Sequence, residues 1–380
     1  MAVLLLAAYP ALSAQQAPPK TVRIGNILPL TGPSSVAGKE AMCAVEMATE
    51  EINSLGGIKS MGGARLENVW ADSASDPTKG MSELARLVTE AKVHLVSGAW
   101  NSAVTYPTSQ AADTAGIPYV VPVSVRDSIT ERGLRYVFRL APKDSWRSRD
   151  QFRFLADMKR RSKAPVQSLA FVFENGPWGS SMRDQWQRLA ASEGYRVALA
   201  ESYPASSQDL SATAMKVANA KPDVILLASI GEDAQTLAKA FGDIKVKAAA
   251  VVASGGGHSD PSFIRKAGRA CEYLFDVSMW EPDMDRPSIA RLRDAFGKRC
   301  KGALSAEAVY SYVSVFVIAQ ALEDAGKATP RELREALEDV SACPGKGSPV
   351  PAVLPQECIE FDRTGQNKGA VHVVVQHLAV

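Results

Sequence analysis

Several kinds of chemistry are missing from this chain. Its 380 residues hold only four histidines, His94, His258, His372 and His377, and these are scattered. No Cys/His cluster falls at metal-ligand spacing, so neither a metal nor another cofactor is expected. No glycine-rich segment ends in Gly-Lys-Ser/Thr, which removes a P-loop. Ser180 follows Gly179, but no glycine follows at the spacing of a nucleophile elbow. Gly255-Gly256-Gly257 comes after a strand-like run yet lacks the rest of a dinucleotide fingerprint. Asp72 and Asp76 share one loop, where capping is a better reading than metal binding. No acid–base pair or nucleophile constellation is visible, so an enzyme is not expected. Basic residues never run on beyond Lys159-Arg160-Arg161, and 43 Lys+Arg against 41 Asp+Glu leave a formal charge of only +2. Nucleic acid is therefore not an expected partner.

What is present is an ordinary globular composition, 46% hydrophobic and 22% charged, with length enough for two domains. The N-terminus stands apart. Val3 to Ala14 is apolar with small residues at its end, followed by Gln15-Gln16-Ala17-Pro18-Pro19. This looks like the core and cleavage region of a secretory signal peptide without its usual positive start. It is too short to span a bilayer comfortably. Residues 1–20 read as signal peptide and linker outside the fold, and export would permit disulfides. The five cysteines leave at least one unpaired within a monomer. Cys343 and Cys358 flank a Gly/Pro-rich loop, and whether they bridge stays open. Cys43 lies in a helical pattern and reads as a buried free thiol.

From Thr21 onward, short apolar runs alternate with helical patterns. Strands are expected at Thr21–Leu30, Arg65–Trp70, Val93–Val96, Ile117–Pro122, Tyr136–Leu140, Ser168–Phe173, Arg196–Tyr203, Asp223–Ala228 and Ala248–Ala253. Helices fill the intervals. This is the signature of βαβ units and parallel sheets, hence an α/β fold. The second half repeats the first, so two similar lobes are expected, each a parallel-dominated sheet flanked by helices. Tyr273–Ser278 reads as a crossing. Helices follow at roughly Ile289–Arg299, Ala306–Ala325 and Pro330–Leu337. The end, Cys358–Asp362 and Ala370–Leu378 around the turn Arg363–Asn367, reads as a hairpin.

In parallel sheets, ligands bind outside the carboxyl ends of the strands. Val93–Pro107 is the key stretch. A buried strand breaks at Gly98 and restarts as a helix after Trp100-Asn101-Ser102. Such a helix start has unpaired N–H groups that Asn101 or Ser102 can cap, or that a carboxylate can occupy. Thr31–Ser35 and Ser124–Arg126 gather at the same edge. Trp100, Trp178 and Trp280 each fall at a loop near a strand end, which suggests an aromatic-walled cleft. His258, beside the glycine triplet, reads as a loop residue or ligand contact.

Several segments occur in an order that resembles one family: Ile27-Leu28-Pro29-Leu30-Thr31-Gly32, Glu51-Ile52-Asn53 with Gly56-Gly57-Ile58, Asp72–Pro77, Ser102, Gly116-Ile117-Pro118, Phe138-Arg139, and Phe361-Asp362 with Gly365-Gln366-Asn367. The chain resembles the type I periplasmic solute-binding proteins of the branched-chain amino acid (Leu/Ile/Val-binding) ABC transporter group, over about Val22 to Gln376. The resemblance implies a type I periplasmic-binding-protein fold with three crossovers. One lobe would hold 21–141 and 276–340, the other 142–275 and 341–380. It implies a monomeric periplasmic receptor that closes on a small molecule and delivers it to an inner-membrane ABC permease. Ser102 matches the serine that holds the ligand carboxylate. Ser124 and Arg126 match the loop that holds the head group. Trp178 matches an aromatic of the second lobe. The acidic residue that anchors a leucine ammonium aligns with Gly256, so Glu232, Glu307 or another acid would have to substitute. The expected ligand is a small amino-acid-like, carboxylate or amide solute, aromatic ones included, held between Trp100 and Trp178. A ligand-sensing regulator on the same lobes, like the cytoplasmic amide sensors, is the alternative.

Overall fold

The computed structural model describes residues 20–161, 166–260 and 262–378. The signal-peptide expectation at Val3–Ala14 lies outside the described residues. In chain order the elements begin with β1 (Thr21–Leu28), α1 (Ser35–Ser54), β2 (Arg65–Asp72), α2 (Pro77–Thr89), β3 (Leu95–Gly98), α3 (Ser102–Thr114), β4 (Tyr119–Val121), β5 (Val137–Arg139) and α4 (Asp144–Arg161). They continue with β6 (Ser168–Glu174), α5 (Pro177–Glu193), β7 (Arg196–Tyr203), α6 (Ser211–Ala220), β8 (Val224–Ala228), α7 (Asp233–Ile244), β9 (Ala250–Ala253) and α8 (Phe263–Ala267). The chain closes with β10 (Phe275–Ser278), α9 (Pro287–Cys300), α10 (Ala306–Ala325), α11 (Pro330–Asp339), β11 (Ser341–Ala342), β12 (Ile359–Glu360) and β13 (Val373–Gln376).

Two sheets result. The first has the order β2-β1-β3-β4-β5 and is parallel throughout. The second has the order β13-β10-β9-β8-β6-β7 and is parallel except for β13. In each, strand order reverses beside the first strand of the lobe, at β1/β3 and at β6/β8. In open α/β sheets a ligand binds at such switch points, outside the strands' carboxyl ends. β6 and β8 are buried at every residue, as strands covered by helices on both faces must be. α10 is apolar on all sides, and Ala308 through Ala319 are buried without a break. A helix of that kind belongs inside a core. Ser305 caps it, its hydroxyl accepting the Ala308 N–H at 3.2 Å.

Four expectations need correction. Phe275–Ser278 is a strand paired with β9 and β13, so the chain leaves the second sheet only after Ser278, not at 276. Residues beyond 341 do not go straight to the second lobe. Ala342, Val350, Val353, Leu354, Ile359 and Phe361 are buried in the same core as α10. The two terminal strands do not pair with each other, since β12 pairs with β11 and β13 with β10; the hairpin is only the tight turn where Phe361 and Asn367 bridge antiparallel. Cys43 is not free. It bonds to Cys300, 257 residues away, where α9 lies along α1 and Arg299 grips Glu50. Cys343 and Cys358 are also bonded, and Cys271 is the free, buried cysteine.

Two of the passages between the sheets are sewn together. Arg139 N–H donates to Gly365 O at 2.7 Å, and Asn367 N–H donates to Arg139 O at 2.9 Å. Gln366 and Asn367 side-chain amides donate to Ala141 O and Leu140 O, both at 3.0 Å. The Arg139 guanidinium is fully buried and donates to Gln366 Oε1, Thr130 Oγ1 and the carbonyls of Ser124 and Arg126. Every arm of that buried charge is satisfied, as burial requires. The remaining passage, after Ser278, is fixed by Trp280 Nε1 donating to Val353 O at 2.7 Å.

Candidate functional site

The first jaw is built around Trp100. Its φ is +72°, a region costly for a bulky residue. Neighbouring bonds hold it there: Ser124 Oγ donates to Trp100 O at 2.8 Å, Asn101 N–H to Ala99 O at 3.0 Å, and Ala99 N–H to Thr105 Oγ1 at 3.2 Å. The hydroxyls of Thr105 and Ser124 are 2.5 Å apart. Asn101 does not cap α3. Its Nδ2 donates to Ser34 Oγ at 3.0 Å, and its Oδ1 is buried without a partner. The first-turn N–H groups of Ser102 and Ala103 have no partner among the described residues. An uncapped helix start of this kind can receive a carboxylate or carbonyl oxygen. Asp72 is engaged by the loops around it. It accepts from Leu30, Thr31 and Ala74 N–H groups and from Thr31 Oγ1, which shapes the loop after β1. Burial pushes its carboxyl up, but these bonds outweigh it and hold the group far below the usual range.

The second jaw starts from Glu174 at the end of β6. Its carboxylate accepts the N–H groups of Gly176 and Gly179, capping α5. That fixes Trp178 in the first turn of α5. Trp178 Nε1 donates to Asp144 Oδ1 at 3.2 Å. The indole lies against Gly256, where a Cβ would meet Trp178 Cη2 at 3.1 Å and Ser229 O at 2.6 Å. Gly256 also has φ +62°. An acidic residue there would need both the ring and the backbone to move. Asp276 holds this glycine loop, accepting Gly255 N–H at 2.6 Å and Ser259 Oγ–H at 2.5 Å.

The jaws are joined by hydrogen bonds. Ser124 holds Trp100, the next residue's carbonyl accepts Asp144 N–H at 2.9 Å, and Asp144 holds Trp178. Burial pushes Asp144 up to about 6, and its Oδ2 has no partner. Of the expected residues, Trp100, Asn101, Ser102 and Ser124 come together on one side, and Trp178 with Gly256 on the other. Arg126 lies beside α3, its guanidinium 4.5 Å from the Tyr106 ring centre. Trp280 is not a cleft wall, being 2% exposed with its indole bonded into the α10 core. His258 is not at the surface of the loop. Its ring is buried edge-on to Phe263 at 5.2 Å, neither nitrogen has a partner, and burial brings it down to about 4. Glu232 is exposed and pairs with Lys266, so it does not replace the missing acid. Glu307 is half-buried and pushed up by burial. Among the described residues no cluster of His, Cys, Asp or Glu could hold a metal ion. A cavity of about 430 Å³ sits at the opposite, amino end of β5, lined by Leu134, Val137, Glu338 and Arg363.

The sequence profile of the periplasmic binding protein family matches residues 21–357. The chain belongs to that family. Its similarity to Leu/Ile/Val-binding protein homolog 7 of Brucella melitensis is 26% identity over 361 residues, 92% of this chain and 87% of the relative. Homolog 8 of the same organism is 24% identical over 367 residues, 93% of this chain and 88% of the relative. The fold is shared with a leucine-binding protein LivK from Thermotoga maritima, at TM-score 0.78, 20% identity, and 94% and 95% coverage. It is also shared with an ABC-transporter solute-binding protein of Rhodopseudomonas palustris BisB5, solved with 3,4-dihydroxybenzoic acid, at TM-score 0.77, 17% identity, and 95% and 97% coverage.

As a periplasmic binding protein the chain has a solute-binding role, and the strand-end crevices are where that fold places a ligand. The arrangement offers open N–H donors, an indole face and fixed loops. Sequence reasoning missed Asp144, Asp276 and Arg147. Asp144 and Arg147 sit at the start of a helix whose pattern speaks only of packing, and Asp276 lies in a strand read as a crossing. A signal was available for Asp276, since an acid inside a buried β run needs a buried partner.

Proposed function

We propose that this protein is the periplasmic receptor of an ABC importer, acting as a monomer and catalysing no reaction. It takes a small carboxylate or amide solute between its two lobes and presents it to the inner-membrane permease. Its affinity is greater for the closed arrangement, which drives closure. Ser102 with the neighbouring N–H groups of α3 holds an oxygen of the ligand. Trp100 and Trp178 face its apolar part. The observation that carries the reading is the bonded path Trp100–Ser124–Val125–Asp144–Trp178, which ties an uncapped helix start on one sheet to an aromatic on the other. Export by a cleaved leader would place it in the periplasm. Among the described residues no helix is long and apolar enough to cross a membrane. Leucine, isoleucine and valine are disfavoured, because Trp178 fills the place over Gly256 where an acid would meet their ammonium. The Brucella relatives are named for those amino acids and the Rhodopseudomonas protein was solved with a benzoic acid, so both classes belong in the test. Isothermal titration calorimetry against branched-chain amino acids, benzoates and their amides should give micromolar or tighter binding of an acid or amide. Trp100→Ala should weaken it at least tenfold. Tight leucine binding with none of the aromatic acids would reject the ligand class.

A further inference from the structure

Arg147 lies near the start of α4 with only 4% of its surface exposed. It has no ion pair among the described residues, whereas Arg149 and Arg153 beside it both pair with Asp150. The two acids whose fields it meets, Asp144 on its own helix and Glu307 on α10, do not bond to it. Asp144 is turned to Trp178. Nη1 donates to Ser254 O, and Nε points at His372 Nε2 at 3.5 Å. His372 is itself held through Nδ1, 3.1 Å from Asp150 Oδ2. Burial brings this imidazole down to about 4, so it is neutral and its Nε2 accepts. The guanidinium is thus held through Nε and Nη1, while Nη2 has no partner and is not among the sealed polar atoms. Buried Arg139 uses every arm. Arg147 keeps one free, and a buried cation without an anion is costly.

What lies next to it gives the shape of the missing anion. A Cβ on Gly255 would fall 2.7 Å from Arg147 Nη1, and one on Gly256 would fall 3.1 Å from Trp178 Cη2. The guanidinium and the indole therefore cover successive glycines of one loop, which sets a cation beside an aromatic face. Asp276 fixes the loop beneath them.

We propose that Arg147 is the second-lobe anchor for the ligand's carboxylate, and that Arg147 with Trp178 selects aromatic carboxylates that carry no α-ammonium. This rests on the solute-receptor reading. It names the ligand class and inverts the charge of the second-lobe contact, from an acid that meets an ammonium to a base that meets a carboxylate. The open N–H groups of Ser102 and Ala103 then take a second oxygen of the ligand.

The test is calorimetry of the whole chain with benzoate, 4-hydroxybenzoate, benzamide, L-phenylalanine and L-leucine. Wild type should bind the benzoates at least 100-fold more tightly than benzamide or either amino acid. Arg147→Gln should remove that preference, Arg147→Lys should restore part of it, and thermal melts check that each variant folds. The carboxylate-to-amide comparison needs no variant, so it stands even if Arg147→Gln does not fold. Benzoate binding unchanged in folded Arg147→Gln, or benzamide equal to benzoate on wild type, overturns the anchor and leaves the receptor reading intact. Preference for leucine overturns the aromatic class and the anchor together. Absence of any binding across the panel and the twenty amino acids overturns the receptor reading itself.

Discussion

The two disulfides close loops of very different length, and their contributions should differ accordingly. Cys43–Cys300 spans 257 residues and Cys343–Cys358 spans 15. In the chain-entropy account, a cross-link removes conformations from the unfolded chain in proportion to the logarithm of the loop. That gives about 3 kcal/mol for the short loop and roughly 5–6 kcal/mol for the long one. The difference, about 2.5 kcal/mol, is the safer figure because constant terms cancel. Paired alanine variants, Cys43→Ala with Cys300→Ala and Cys343→Ala with Cys358→Ala, should be unfolded in guanidinium and followed by far-UV circular dichroism. The denaturant must unfold both lobes, since a lobe still folded inside the long loop shortens it. The long-loop variant should lose more stability, and its m-value should rise more as its unfolded chain expands. A loss at Cys43/Cys300 no larger than at Cys343/Cys358 would refute the loop-length reasoning and point to local packing between α1 and α9 instead.

Two further outcomes are expected. Burial pushes Glu281 up from the ordinary 4.5 to about 8, and its Oε1 has no partner. A carboxyl whose folded value is raised favours the folded state while protonated, so its contribution is lost as pH rises from about 4.5 to about 8 and is flat above that. Glu281→Gln should therefore gain melting temperature relative to wild type on going from pH 5 to pH 8.5, and a pH-independent difference would show that Glu281 is not buried as described. Gly256→Glu, which restores the acid of the leucine-binding pattern, should cost about 2 kcal/mol or more from its left-handed backbone and the crowding at Ser229 O. It should not create a leucine site, and leucine affinity gained at unchanged stability would contradict the packing of Trp178 on Gly256.

What could be read in advance divides by distance along the chain. β7 was legible to the residue, because strand and helix periods are written locally. The edge at which the loops after the parallel strands collect followed from parallel order alone. Phe138-Arg139 and Gly365-Gln366-Asn367 stood out only as family likeness, and their bonding to each other gives the physical cause. Contacts between distant segments were not legible. Nothing near Cys43 points to Cys300, and nothing near Phe275–Ser278 announces β13 as its antiparallel neighbour. Trp280 misled because loops at strand ends look alike from sequence, whether the side chain turns outward or into a core. Arg147 was hidden because an arginine early in a polar helix is ordinary until its burial is known.

The sewn passages change how the joint between the sheets can be counted. Three segments run across it, but 139–141 and 365–367 are bonded edge to edge by main-chain and amide contacts. Those two twist as one ribbon, and the passage after Ser278 is a second, separate thread. Mechanically the joint has two attachments rather than three, and two fixed points define a line. On the proposed closure, a rotation about that line is the movement that asks least of the ribbon's bonds, and no dedicated hinge sequence is needed for it.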